Sequence, residues 1–308
     1  MATEPTIAVL ARARVASSNR AAAVYATALD YWALTKPEVN FLILITTFVA
    51  FHLASGSGAA HILTAVHTLV GTLLVASGAA TLNQFLERSF DAEMRRTARR
   101  PLAAGRLRPS NVLWFGISLS IAGVLYLAAL NVLTALLAVL TLLSYLFLYT
   151  PLKRKTPMCT FVGAFPGAAP PLIGWAAARG RIDAEAWVLF LIVFLWQFPH
   201  FMAIAWMYRD DYSRAGYHVL PTPALRDRFL TRQSFACSLA LVPVALLAGI
   251  TGRSGAVYSV AAGMLSVAFV YFSERFAFHR TNATARQLLV ASVFYLPLLF
   301  TLLMFDKK

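Results

Sequence analysis

The chain is poor in charge, and in acids above all. Only 13% of its 308 residues are charged, and Asp and Glu together number 13. Soluble domains carry about a quarter charged residues. A chain of this length has too little interior to hide a composition that is 59% hydrophobic. A water-soluble fold is therefore excluded. Cysteine is nearly absent: Cys159 and Cys237 stand in apolar stretches with no CxxC pattern and no neighbouring His. That excludes a disulfide scaffold and a Cys-based zinc site, and leaves both thiols as packing residues. The first 30 residues lack a continuous apolar run, so no cleaved secretory signal is expected there. Their Ala/Arg/Ser-rich composition suits a short bacterial cytoplasmic tail, with a mitochondrial transit segment as the alternative. No solenoid-type repeat is apparent.

What the chain does have is long apolar runs. A spanning helix needs about 20 apolar residues, and nine runs of that kind lie near 38–55, 62–86, 111–129, 132–150, 158–178, 186–207, 233–251, 255–273 and 287–305. The third and fourth are separated by a short turn around Asn131. The fifth is interrupted by Gly163, Pro166, Gly167, Pro170, Pro171 and Gly174. Such residues are tolerated at membrane depth where neighbouring helices or a cavity satisfy the freed backbone, so this segment is expected to line something. The expected fold is an all-α integral membrane protein, with a tail over 1–36 and a single nine-helix domain over 37–308.

The formal charge of +14 would suggest nucleic acid in a soluble protein. Here it reads as topology. Twenty-two Lys and Arg fall on one side: the tail with Lys36, the 87–110 loop, Lys153 to Lys155, the 208–232 loop, and Arg275, Arg280 and Arg286. Five fall on the other (Arg179, Arg181, Arg253, Lys307 and Lys308). The positive-inside rule then places the N-terminus and the long loops in the cytoplasm and leaves no call for nucleic acid.

Four stretches carry polar chemistry. In NQFLERSFDAEMRRTARRPLAAGRL (83–107), Asn83, Glu87 and Asp91 stand at i, i+4 and i+8 on a helix leaving the membrane. At about 100° per residue they share one face within roughly 80°. Oxygen ligands of this kind suit Mg²⁺, which binds through one or two carboxylates plus substrate phosphates. Arg95, Arg96, Arg99 and Arg100 follow directly, as guanidiniums for phosphate oxygens would. A wet loop whose acids pair with its own arginines fits the spacing equally well. Against it stands the position of Asn83 and Glu87 at the end of a span, where polar groups are costly.

In YRDDYSRAGYHVLP (208–221), Asp210 and Asp211 are adjacent and cannot share a helix face. The pair reads as a turn offering one ligand, or as an Asp-rich helix terminus. In YTPLKRKTP (149–157), Lys153 and then Arg154 are candidate phosphate contacts, and Lys155 reads as anchoring. In WQFPHF (196–201), Gln197 and His200 lie inside the sixth apolar run beside Pro199. Neutral imidazole there suits a metal or haem-iron ligand or a base, although a packed histidine fits too.

Together these residues carry a resemblance. Asn83, Glu87, Asp91, Met94, Arg96, Thr97, Arg100, Pro101 and Leu102 form a pattern that resembles the first signature of the UbiA-type membrane prenyltransferases, and within them the protohaem IX farnesyltransferase (haem O synthase) branch. LTKPEV (34–39), YTPLKRKTP, GAFPGAAPPLIGWAA (163–177), WQFPHF and YRDDYSRAGYHVLP resemble that branch in the same order, over about 190 residues. The resemblance implies nine helices around a central cavity open to the cytoplasm in a bacterial inner membrane, or a mitochondrial one. It implies Mg²⁺ as cofactor, farnesyl diphosphate as donor, haem B as acceptor, and contact with haem-handling enzymes of terminal oxidase assembly. By the same resemblance Asn83, Glu87 and Asp91 hold the first metal–diphosphate contact, and Asp211 with Asp210 the second. Lys153, Arg154, Arg96 and Arg100 hold phosphate oxygens, and His200 and Gln197 lie on the haem side. The chain departs from the broad family in having Glu87 where Asp is usual and Met207 where a second D-x3-D would begin, which puts the second metal's ligands in doubt. Prenyl transfer to an aromatic quinone precursor is the alternative within the fold. A transporter is disfavoured, because its site would lie near the midplane between repeats.

Overall fold

A computed structural model describes residues 22–55, 59–221, 225, 228–230, 232–249 and 254–306. The expected anchoring residues Arg12, Arg14, Arg20, Arg226, Arg253, Lys307 and Lys308 lie outside them. Among the described residues, nine helices are long and apolar enough to cross a membrane. A helix over 22–34 (α1) precedes them, within the stretch expected as a tail. The spans are α2 (Pro37–Ala54), α3 (Ala59–Glu93), α4 (Pro109–Ala128), α5 (Val132–Leu152), α6 (Cys159–Arg179), α7 (Ala184–Met207), α9 (Arg228–Ala248), α10 (Ala256–His279) and α11 (Asn282–Phe305), with a short α8 (Arg209–Arg214) after α7. Every expected run has become a span.

Local chemistry explains several boundaries. Asn131 caps α5, its Oδ1 accepting from the Thr134 backbone N–H at 2.8 Å, which satisfies a donor the first turn leaves unpaired. Its amide also donates to the Ala176 carbonyl at 3.1 Å, tying the turn to α6. Thr281 and Thr284 cap α11 reciprocally. The Pro/Gly-rich α6 breaks at Ala169 into Cys159–Ala168 and Pro170–Arg179. It is the most buried span and α7 the next, while α4, α5 and α10 are the least buried. The glycines of α6 thus serve close packing at the centre of the bundle: Gly174 sits against the Thr47 carbonyl of α2, and Gly167 against Gln197 of α7.

Between α3 and α4 the seam follows the logic of membrane helices. Lipid tails compete with apolar side chains, so close backbone approach does the work. A Cβ at Gly78 would stand 2.8 Å from the Ser120 backbone N and 2.9 Å from the Gly116 carbonyl oxygen. One at Gly123 would meet the Val75 N at 2.7 Å. This tight pairing fixes the azimuth of α3, and with it the face that carries Asn83, Glu87 and Asp91.

Candidate functional site

Two spans and the junction that leads into a third deliver side chains to one end of the bundle. The polar face of α3 is buried there, with Asn83, Glu87 and Asp91 at 1%, 5% and 1% exposure. The end of α5 winds through π-type turns over Ser144–Tyr149 before Thr150–Leu152, an irregularity frequent at functional sites. These turns aim Thr150 and Lys153 at α3. Lys153 Nζ bonds both Glu87 oxygens, at 2.7 and 2.9 Å. Asn83 Nδ2 donates to Glu87 Oε2 at 2.9 Å and to Thr150 Oγ1 at 3.2 Å. Arg100 returns over its loop to place Nη1 2.8 and 2.7 Å from the two Asp91 oxygens, while Thr97 Oγ1 donates to the Asp91 carbonyl. Burial works against the charge of Lys153, yet the neighbouring Glu87 carboxylate holds its pKa above the ordinary lysine value.

The third contribution comes from Lys36, which the charge pattern reads as tail anchoring. The structure corrects that reading: Lys36 Nζ donates to Asn83 Oδ1 at 3.3 Å. Lys36 joins α1 to α2 with φ 51°, a left-handed conformation unusual for a residue with a Cβ. Pro37, which follows, disfavours the helical alternative. Two buried amides brace the strained junction: Gln84 Nε2 donates to the Leu34 carbonyl at 2.8 Å, and Asn40 Nδ2 to the Thr35 carbonyl at 2.8 Å. Burial first, then the charges of Arg100 and Lys153, push the Lys36 pKa down to about 7 against the pull of Glu87 and Asp91. Only the LTKPEV string hinted at this position, since nothing in one dimension brings residue 36 to residue 83.

The 208–221 segment closes over the cluster. The adjacent acids lie in the first turn of α8, so of the two readings the sequence left open the helix terminus is the one found, and its phase separates the two acids. Asp211 Oδ2 accepts from the Arg96 backbone N–H at 3.3 Å, and Oδ1 from Arg214 at 3.0 Å. Asp210 is 84% exposed and only 3.9 Å from Arg209. The Arg96 guanidinium lies over the Tyr208 ring and that of Arg154 over Phe90, both on exposed side chains. Tyr217, which the sequence reading passed over, is buried beside the cluster. Burial, then the charge of Glu87, raise its pKa well above the ordinary tyrosine value, so it stays a neutral O–H donor.

The remaining pair sits deeper, on α7. Gln197 is buried and its Nε2 donates to the Ala164 and Val193 carbonyls, stapling α7 to α6. His200 stacks on Trp196 with ring centroids 4.7 Å apart, and its Nδ1 lies 2.7 Å from Ser292 Oγ of α11. Ser292 Oγ spends its one proton on the Leu289 carbonyl, so it accepts from Nδ1–H and the network assigns the lone pair to Nε2.

Among the described residues, no three His, Cys, Asp or Glu side chains converge on one point. The donors nonetheless fit a hard cation, since Mg²⁺ takes one or two protein carboxylates and completes its shell from phosphate and water. Arg100 and Lys153 sit on the two α3 carboxylates.

Fold and side chains thus define a multi-pass, all-helical membrane protein with a buried acid–base cluster at one end of its bundle. A family model described as the UbiA prenyltransferase family matches residues 43–301, and the chain belongs to that family. It is similar to the protoheme IX farnesyltransferase of Solibacter usitatus (strain Ellin6076), 47% identical over 287 residues that cover 90% of this chain and 98% of that protein. In fold it is similar to a digeranylgeranylglyceryl phosphate synthase, with a TM-score of 0.73 at 16% identity, covering 90% and 97% of the two chains. A UbiA homolog from Archaeoglobus fulgidus bound to GPP and Mg²⁺ gives a TM-score of 0.63 at 14% identity, covering 89% and 99%.

Proposed function

We propose that this enzyme transfers the farnesyl group of farnesyl diphosphate to a vinyl group of haem B, giving haem O and diphosphate. The observation that carries the donor half is the convergence of Asn83, Glu87 and Asp91 with Lys153, Arg100 and Lys36 at one buried place. The donor enters at this end, on the cytoplasmic side of a bacterial inner membrane, a placement that the positive-inside count supports.

The mechanism follows from charge. Glu87 and Asp91 are ion-paired in the free protein, so the cations that will meet the diphosphate are already gathered and charge-balanced. When the donor enters, Lys153 and Arg100 would exchange carboxylate for phosphate oxygens and Lys36 would turn from the Asn83 amide to join them, leaving Asn83, Glu87 and Asp91, with Asp211 beside them, as the residues that would hold Mg²⁺. Mg²⁺ held there would supply neutralisation of the charge that develops on the departing diphosphate. Preorganised cations in a partly desolvated site do the same at no reorganisation cost. The C1–O bond of the allylic donor breaks, the electron pair leaves with diphosphate, and the haem vinyl group captures the allylic cation. Water then supplies the hydroxyl and releases a proton. Arg96 and Arg154, exposed at the rim, draw the anionic donor in.

Haem as the acceptor is supported by the near full-length similarity to a protoheme IX farnesyltransferase and by the free Nε2 of His200 within the bundle. His200→Ala is expected to lose haem turnover while farnesyl diphosphate still binds, as read by product formation and donor titration side by side. A variant with wild-type haem affinity and turnover removes His200 from the haem side. Labelled farnesyl diphosphate offered with equal haem B and an aromatic quinone precursor tests the acceptor: label is expected in haem, and label in the aromatic compound makes the quinone reading correct.

Lys36 carries a further expectation. A folded site that pushes a lysine's pKa down resists that charge, so Lys36→Met is expected to unfold at a higher temperature without ligand. The same variant is expected to bind the donor about tenfold more weakly, as loss of one charge-assisted contact implies. Thermal unfolding and donor titration of one preparation read both effects.

A further inference from the structure

The Tyr217 hydroxyl is buried and has no hydrogen-bond partner among the described residues, although it stands beside the Glu87 carboxylate. Buried polar atoms are nearly always paired, and an unpaired one costs its full desolvation penalty. A phenylalanine would avoid that cost, so the hydroxyl calls for an acceptor that none of the described residues supplies in bonding geometry.

The chain goes to some length to put it there. Gly216, at φ 67°, takes the left-handed turn that ends α8 and reverses the backbone, a conformation open to glycine without strain. The Tyr217 N–H then returns to the Tyr212 carbonyl at 2.9 Å, and the His218 N–H reaches the Lys153 carbonyl at 2.7 Å. The second bond locks the residue to the same turn that delivers Lys153. The ring is held edge-on by Phe90 and by Tyr212, each at 5.9 Å between centroids, and Lys153 Nζ lies 6.0 Å from its centroid. Glu87, the nearest carboxylate, already accepts three bonds from Lys153 and Asn83, and none of them comes from Tyr217. An acceptor brought by a ligand would complete the bond, and the cations around the hydroxyl select an anion.

We propose that Tyr217 is a diphosphate-binding residue whose hydroxyl donates to a phosphate oxygen of the bound prenyl donor. The inference rests on the diphosphate reading of this cluster and adds a recognition element from the 208–221 segment. That segment then closes on the donor rather than merely supplying Asp211.

The test is calorimetric titration of the purified protein with inorganic pyrophosphate and Mg²⁺, for wild type and Tyr217→Phe, with thermal unfolding of both in the absence of ligand. The Phe variant keeps the ring packing and loses only the donor. It is expected to unfold no earlier than wild type and to bind pyrophosphate about 10- to 100-fold more weakly, as for a lost hydrogen bond to a charged group. Equal pyrophosphate affinity in the two proteins overturns the role of Tyr217 and leaves the diphosphate site standing. Wild type that fails to bind pyrophosphate overturns the diphosphate reading itself, and the inference with it. If Tyr217→Phe unfolds early, Tyr217→Trp supplies the comparison: it keeps an aromatic body with a donor, so recovered affinity supports the hydrogen bond and affinity as low as that of the Phe variant contradicts it.

Discussion

Asp91→Ala and Glu87→Ala are each expected to lower prenyl transfer by about a thousandfold or more, the rate equivalent of the several kcal/mol of charge stabilisation that a correctly held metal supplies. Both carboxylates are buried on one face of α3, so neither role passes to a neighbour: Asp210 points to solvent, and Asp211 is held by Arg96 and Arg214. The two variants are also expected to differ. Asp91→Ala releases Arg100, whose side chain is 23% exposed and can rehydrate. Glu87→Ala releases Lys153, which is 13% exposed and has less access to water. Glu87→Ala is therefore expected to be the less stable of the two, while both still insert. Single-turnover assays of the purified variants read the first effect and thermal unfolding the second. Substantial activity in either variant removes that residue from the metal site.

Lys153→Met is expected to be damaging twice over. By the proposed mechanism it removes one of the preorganised cations that meet the leaving diphosphate, a loss expected to cost about a hundred- to a thousandfold in rate. It also leaves Glu87 as a buried, unpaired carboxylate, and breaking such a pair destabilises by about 3–5 kcal/mol. The double variant Lys153→Met/Glu87→Gln removes both charges, and it is expected to recover most of the stability and none of the activity. Unfolding of the two proteins without ligand, beside their turnover, separates the structural from the catalytic part of the loss. Equal stability of single and double variant means that the Lys153–Glu87 pair is not what holds α5 against α3.

Much of this architecture was legible from one dimension, because lipid imposes simple rules. Every expected apolar run became a span, and Asn131 was readable as a turn because its side chain caps the next helix. The i, i+4, i+8 stripe of α3 needed only helical geometry. What escaped depended on tertiary contacts. Lys36 looks like any juxtamembrane cation until the left-handed junction before Pro37 turns it towards Asn83. Among the four arginines of the 95–100 stretch, only the fold of the loop selects Arg100 for Asp91. Asp210 and Asp211 are told apart by the phase of α8, which a pair of adjacent letters does not reveal. Tyr217 carried no signal beyond its place in the YRDDYSRAGYHVLP string. Its meaning comes from the bond between His218 and Lys153, 65 positions apart. Gln197, taken with His200 from the same string, spends its amide on backbone carbonyls of α6 and α7 and leaves His200 as the open group of that pair.

The central claim is that the α3 carboxylates and their cation partners drive farnesyl transfer to haem. The most direct measurement is the mass of the haem recovered after purified protein is incubated with haem B, farnesyl diphosphate and Mg²⁺, run in parallel with Asp91→Ala. The account predicts haem heavier by one hydroxyfarnesyl group with wild type, and unmodified haem with the variant or when Mg²⁺ is chelated. Unmodified haem with folded, donor-binding wild type, or equal product from Asp91→Ala, would contradict it.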